Sequence, residues 1–84
     1  MALDDDFGQA QIDAKALSAR PSNENLLKLY AYFKQATEGD VQGERPGVFD
    51  FVGGAKYDAW SEIKGLTADD AKTAYVELVE SLKS

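Results

Sequence analysis

Tyr30 and Lys34 stand four residues apart, and Gln11 and Lys15 repeat that spacing earlier in the chain. After a Gly-rich stretch comes Lys56-Tyr57-Asp58-Ala59-Trp60. Four residues is about one helical turn, so each spaced pair shares a helix face beside an apolar seam. Lysines next to tyrosine and tryptophan suit a ligand that is anionic, partly flat and partly greasy. A lysine about 4 Å from a phosphate gains about 1 kcal/mol in water and about 4 kcal/mol at an effective dielectric of 20. The structural alternative for each lysine is snorkelling, in which the stem covers apolar surface while the ammonium stays wet. Repetition on separate segments, with tyrosine alongside, favours a site.

Other chemistries find little support. The chain has no His and no Cys. That removes the usual general base, the commonest transition-metal ligand, thiolate metal sites and disulfides. There is no phosphate loop of the P-loop or dinucleotide type. Fifteen acidic residues are present, but no spacing singles out two carboxylates in the distinct environments that acid–base catalysis needs. Asp4-Asp5-Asp6 suits a helix start better than a cation site. The expectation is a binding protein that is not an enzyme and has neither metal nor cofactor. A net charge of −6 and a pI near 4.4 argue against a nucleic-acid partner, which calls for a basic face. No apolar run approaches the ~18 residues of a membrane span, and the N-terminus lacks the basic and apolar regions of a signal peptide. A monomeric, cytoplasmic protein with one domain over residues 1–84 is expected.

Four helices and no strand must position these residues, because apolar and polar residues nowhere alternate for long between turn signals. The first helix is expected from about Asp5 to Ser18, capped by Asp4, Asp5 and Asp6, with Phe7, Ala10, Ala14 and Leu17 on one face. The second starts after Ser22, a good N-cap, and stops at Gly39. Its core face is Leu26, Leu29, Phe33 and Ala36, and Leu27, Tyr30 and Lys34 form a strip on its shoulder. A loop of roughly fourteen residues, 39–52, follows, a length uncommon in small domains. Its apolar residues Val48, Phe49, Phe51 and Val52 are expected to pack against the bundle. The third helix runs from about Gly53 to Lys64, closed by Gly65, with Trp60 in the core. The fourth begins at Thr67-Ala-Asp-Asp70, a capping-box variant. Its face is Ala71, Ala74, Tyr75, Leu78 and Leu82, with Val79 on the edge.

Tyr30-Ala-Tyr-Phe-Lys-Gln-Ala-Thr-Glu-Gly-Asp40, Glu44-Arg-Pro-Gly47, Asp50-Phe51 and Lys56-Tyr-Asp-Ala-Trp60 closely resemble the acyl-CoA-binding protein family. That family's pattern reads approximately Tyr-x-x-Tyr-Lys-Gln-Ala-Thr-x-Gly-Asp, then Arg-Pro-Gly, then Lys-Trp-x-Ala-Trp. The match extends without gaps from Phe7 to the fourth helix. The resemblance implies an all-α four-helix bundle that binds medium- to long-chain fatty acyl-CoA, carrying and buffering it without reaction. It places Lys15, Tyr30, Lys34, Lys56 and Tyr75 at ligand positions. Lys34 and Lys56 would meet the 3'-phosphate end, Tyr30 and Tyr75 the nucleotide, and Leu26 and Leu27 the acyl groove. Gln11 joins them through its pairing with Lys15, and Phe33 through its place in the helical motif.

Three departures stand out. Phe33 replaces the second tyrosine of the helical motif, which removes a hydroxyl contact typically worth ~0.5–1.5 kcal/mol. Tyr57 replaces the first tryptophan of the third motif. Val52-Gly-Gly54 occupies a stretch where many members carry more lysines. The rival reading is a helical protein-interaction module presenting Ile12, Tyr32 and Val76.

Overall fold

In the computed structural model, which describes residues 2–83, four helices follow one another. They are α1 (Ala2–Lys15), α2 (Asn23–Glu38), α3 (Phe51–Glu62) and α4 (Ala68–Leu82), with no strand among the described residues. α1 packs against α4, α4 against α2, and α2 against α3. Among the described residues α3 therefore leans on α2 alone of the three other helices. The Cα envelope measures 37 × 28 × 15 Å. Its short axis holds two helix axes about 8–10 Å apart plus their backbone radii. Two layers leave a thin core, with α1 and α3 each packed, among the described residues, against a single other helix.

The helix starts and stops follow local chemistry. Ser22 Oγ accepts from the Asn25 amide at 3.1 Å, and Thr67 Oγ1 accepts from the Asp70 amide at 3.0 Å. Each satisfies one of the amides that a helix start leaves without a partner. Gly39 ends α2 at φ 83°, a left-handed backbone open to glycine at no steric cost. α1 starts earlier than expected, so Asp4, Asp5 and Asp6 lie within its first turns and not ahead of them. They still favour the positive helix end, and Asp4 also accepts from Lys72 Nζ of α4 at 2.7 Å. α1 closes at Lys15, short of Ser18, in a turn where the Ala16 amide donates to the Asp13 carbonyl.

α3 is shifted in the same direction, by less. It begins at Phe51 because Asp50 is its N-cap, accepting from the Gly53 amide at 2.9 Å. It ends at Glu62, and Ile63, Lys64 and Gly65 form the turn into α4.

The core gathers Phe7 and Ala10 of α1, Leu29 and Ala36 of α2, and Ala71, Tyr75 and Val79 of α4. Val79, expected on the edge of the α4 face, is fully buried at its centre, while Ala74, Leu78 and Leu82 are half-buried. The Tyr75 ring meets the Phe7 ring edge-on at 5.2 Å, and the Phe33 ring stacks on Phe7 at 6.1 Å. Such aromatic pairs add about 0.5–1.5 kcal/mol beyond the area they bury.

The largest of the almost wholly enclosed side chains is polar. Gln35 is 1% exposed and every one of its polar atoms is used. Its Nε2 donates to Asp40 Oδ1 at 2.8 Å and to the Leu66 carbonyl at 2.9 Å. Its Oε1 accepts from Trp60 Nε1 at 3.1 Å, which also donates to the Gly39 carbonyl at 2.9 Å. Asp40 Oδ1 further accepts from the Gly65 amide at 2.8 Å. These two donors hold the Asp40 carboxyl below its ordinary range. One glutamine thus ties the end of α2, the indole of α3 and the α3–α4 turn together.

Candidate binding groove

The loop after α2 shapes α3 before any groove can form. Arg45 clamps Asp58 of α3 with two bonds, Nε to Oδ1 at 2.9 Å and Nη2 to Oδ2 at 3.0 Å. Its guanidinium passes so close to Gly54 that a Cβ there would lie 2.8 Å from Nη2. A larger residue at 54 would displace the end of the Arg45 side chain and disturb its grip on Asp58. Tyr57 adds a third tie, donating its hydroxyl to the Gly43 carbonyl at 2.8 Å. The loop is thereby fastened to α3 through polar groups, and its apolar side chains turn outward. Val48, Phe49, Phe51 and Val52 are 73%, 90%, 78% and 66% exposed, so the expectation that they pack against the bundle is not met.

Between the first half of α2 and the first half of α3 lies a groove of about 470 Å³, within the usual range for small-molecule sites. α2 contributes Leu26 and Leu27, and α3 contributes Phe51, Val52, Ala55 and Lys56. Arg20 and Asn23 close the end nearest the start of α2. Leu26 is half-buried here, a groove wall more than a core residue.

Lys56 brings charge to this apolar trough. Its Nζ lies 5.2 Å from the centroid of the Tyr30 ring, a cation–π arrangement. One turn further along α2, Lys34 Nζ lies 5.2 Å from the Trp60 ring centroid and pairs with Glu38. The Glu38 carboxylate raises the Lys34 ammonium pKa above its ordinary value. Leu27, Tyr30 and Lys34 climb one strip of α2, and at ~1.5 Å per residue they span ~10 Å. The strip grades from apolar through aromatic to cationic. That order fits a molecule with a hydrocarbon end and an anionic end.

The remaining candidates lie elsewhere. Tyr75 and Phe33 join the core cluster around Phe7, and burial raises the Tyr75 hydroxyl pKa. Gln11 donates to the Phe7 carbonyl of its own helix at 3.4 Å, and Lys15 is exposed in the last turn of α1. None of these four lines the groove, and Tyr30 and Lys34 also fall outside its lining, Tyr30 being joined to it by its contact with Lys56. The groove includes Arg20, Asn23, Phe51, Val52 and Ala55, none of which the sequence marked as site residues. An apolar run directly ahead of Lys56 was the available signal, and it reads equally well as buried loop until its exposure is known.

The patch proposed for a protein partner does not form as expected. Ile12 is exposed, but Tyr32 and Val76 are half-buried against the core. Among the described residues no helix is long and apolar enough to cross a membrane, and no cluster of three or more acidic side chains is placed to hold a metal ion.

Comparison with known proteins bears on this geometry. The family model described as Acyl CoA binding protein matches residues 4–79. Acyl-CoA-binding protein homolog 1 of Caenorhabditis elegans is 55% identical over 76 residues, covering 90% of this chain and 88% of that protein. Enoyl-CoA delta isomerase 2 of Rattus norvegicus is 48% identical over 83 residues, 99% of this chain but only 21% of that protein. The crystal structure of Oryza sativa Acyl-CoA-Binding Protein 2 superposes with a TM-score of 0.90 at 38% identity, covering 95% of this chain and 89% of that one.

Proposed function

The chain belongs to the acyl-CoA-binding protein family, and from that premise we propose that it binds medium- to long-chain acyl-CoA thioesters reversibly in the α2–α3 groove. The observation that carries the reading is the gradient from Leu26 and Leu27 through Tyr30 to Lys34 and Lys56. The acyl chain lies along Leu26, Leu27, Phe51 and Val52, where each buried methylene is worth ~0.8 kcal/mol. Two further methylenes tighten binding about tenfold until the groove is full. Lys34 and Lys56 offset phosphate charge, and Tyr30 offers a ring face to the nucleotide.

Lys15, Gln11, Phe33 and Tyr75 enter this reading through the family's pattern. Phe33 and Tyr75 reach the ligand only at the edge of the core, and Gln11 and Lys15 only from α1. Residues 1–84 act as one acyl-CoA-binding domain, as a cytoplasmic monomer that buffers and carries its ligand without chemical change or cofactor.

Calorimetric titration with palmitoyl-CoA, CoA and palmitate tests the reading, with Trp60 fluorescence as a second signal. Saturable one-to-one binding of the thioester, much weaker binding of palmitate, and tightening with chain length are expected. Absence of heat and of any fluorescence change at micromolar palmitoyl-CoA would sink it. Lys34→Ala is expected to weaken binding by more than ~1 kcal/mol with the fold intact. A parallel loss of melting temperature would make Lys34 a structural residue instead.

A further inference from the structure

Glu38 occupies the cation that the ligand needs. Its carboxylate pairs with Lys34 Nζ one turn back along α2, and the two side chains are 49% and 22% exposed. Beneath the ammonium lies the Trp60 ring, itself held by Gln35 and the Gly39 carbonyl. Lys34 is therefore fixed on one side by an aromatic face and covered on the other by an acid. Lys56 differs: its contact is the Tyr30 ring, and among the described residues no carboxylate pairs with it.

Helix stability does not account for Glu38. It is the last residue of α2, where the negative end of the helix dipole disfavours a carboxylate. Lys preceding Glu by four is also the weaker orientation of such a pair. No basic residue stands in that last turn to compensate. In the family's pattern this is the open position between Thr and Gly, so the motif itself does not require an acid there. An anionic group approaching Lys34 meets the Glu38 charge first and must displace it.

We infer that Glu38 is an intramolecular competitor for Lys34, and that it sets the affinity of this chain for the phosphate end of its ligand. The inference rests on the acyl-CoA reading above. A phosphate takes the ammonium, and Glu38 swings to water, where its partial exposure already allows it to go. The competition makes phosphate binding at Lys34 weaker than the lysine alone would give, and leaves Lys56 as the cation that engages first.

The test is palmitoyl-CoA titration by calorimetry at low salt of the wild type, Glu38→Gln, Lys34→Met and the double variant, with a thermal melt of each. Glu38→Gln is expected to tighten binding three- to tenfold with an unchanged melting temperature. In the Lys34→Met background the same substitution is expected to change affinity less than twofold. Unchanged or weaker binding by Glu38→Gln, while Lys34→Met loses affinity, overturns the competition and leaves the acyl-CoA reading standing. A gain that persists without Lys34 also overturns it, because the effect is then only the lower net negative charge. If Lys34→Met binds as the wild type does, the assignment of Lys34 to the ligand falls, and the competition with it. Failure of the wild type to bind at all removes the acyl-CoA reading first.

Discussion

Phe7 and Phe49 are the same residue type with opposite fates. Phe7 is 6% exposed between α1 and α4, whereas Phe49 is 90% exposed at the tip of the loop before α3. The α1–α4 side closes chiefly by apolar contact, with Tyr75, Phe33 and Val79 filling the seam around Phe7 and the ion pairs Asp4–Lys72 and Asp13–Lys83 at its exposed margin. The α2–α3 side closes by polar ties: Gln35 to Trp60, Arg45 to Asp58 and Tyr57 to Gly43. On the α1–α4 side the larger apolar side chains of the seam are covered, and the surface cleft between α1 and α4 is lined mostly by polar and charged groups such as Asp6, Gln9, Asp13, Glu80 and Lys83. A side joined by directed hydrogen bonds at a few points holds its helices while leaving apolar surface uncovered between them, and that surface is the groove. The division of labour places stability in one half and ligand capacity in the other.

The strongest way to break this contrast is at Phe7. Phe7→Ala is expected to cost ~3–5 kcal/mol, as deletions of buried aromatic rings do. For a domain of this size that is a large share of the total. Urea unfolding followed by Trp60 fluorescence measures it. A loss below about 1 kcal/mol would show that the α1–α4 seam does not carry the fold.

The polar side gives a smaller effect. Gln35→Ala strips partners from Asp40 and the Leu66 carbonyl, though Trp60 keeps the Gly39 carbonyl. A loss of ~1–3 kcal/mol is expected, read as an earlier urea midpoint. Asp40 sharpens the same point through pH. Its folded pKa lies below the ordinary 3.8 because Gln35 and the Gly65 amide donate to it. A depressed carboxyl stabilises the fold above its unfolded pKa, and that contribution is lost as pH falls below about 4 through the folded value. Asp40→Asn is therefore expected to be less stable at neutral pH and to show a shallower decline in acid. Parallel acid profiles for the two proteins would mean that Asp40 contributes nothing through its charge.

The smallest effect is expected at the other phenylalanine. Phe49→Ser should change unfolding stability by no more than ~0.5 kcal/mol, as exposed substitutions do. A larger loss would place Phe49 in the core and remove the contrast with Phe7. The two ring deletions measured together thus set its full range.

Much of α2 and the start of α4 was legible in the sequence because their boundaries are local events. Ser22, Gly39 and Thr67 act on amides and dihedrals within a few residues of themselves, so type and position suffice. The first turn of α3 was illegible for the opposite reason. Phe51 and Val52 read as the apolar end of the loop, with Gly53 as the start of the helix, yet the Asp50 cap, accepting from the Gly53 amide, brings both into the first turn. Val79 could not be centred on its face by periodicity alone, since α1 and α2 decide which part of α4 is covered.

The candidate site divides along the same line. Leu27, Tyr30 and Lys34 belong to one helix, and their shared strip is a property of 3.6 residues per turn, so the sequence by itself determined it. It also determined the four helices, the acidic charge and the family pattern. Only the tertiary structure decided that Lys56 returns over Tyr30 and that Phe51 and Val52 stand open as the far wall of the groove. It also decided that Phe33 and Tyr75, which helical spacing had already put on core faces, meet at the Phe7 ring. Strips and caps arise from contacts a few residues apart. A groove is the space between segments, and its width depends on how α2 and α3, distant in the chain, are held against one another.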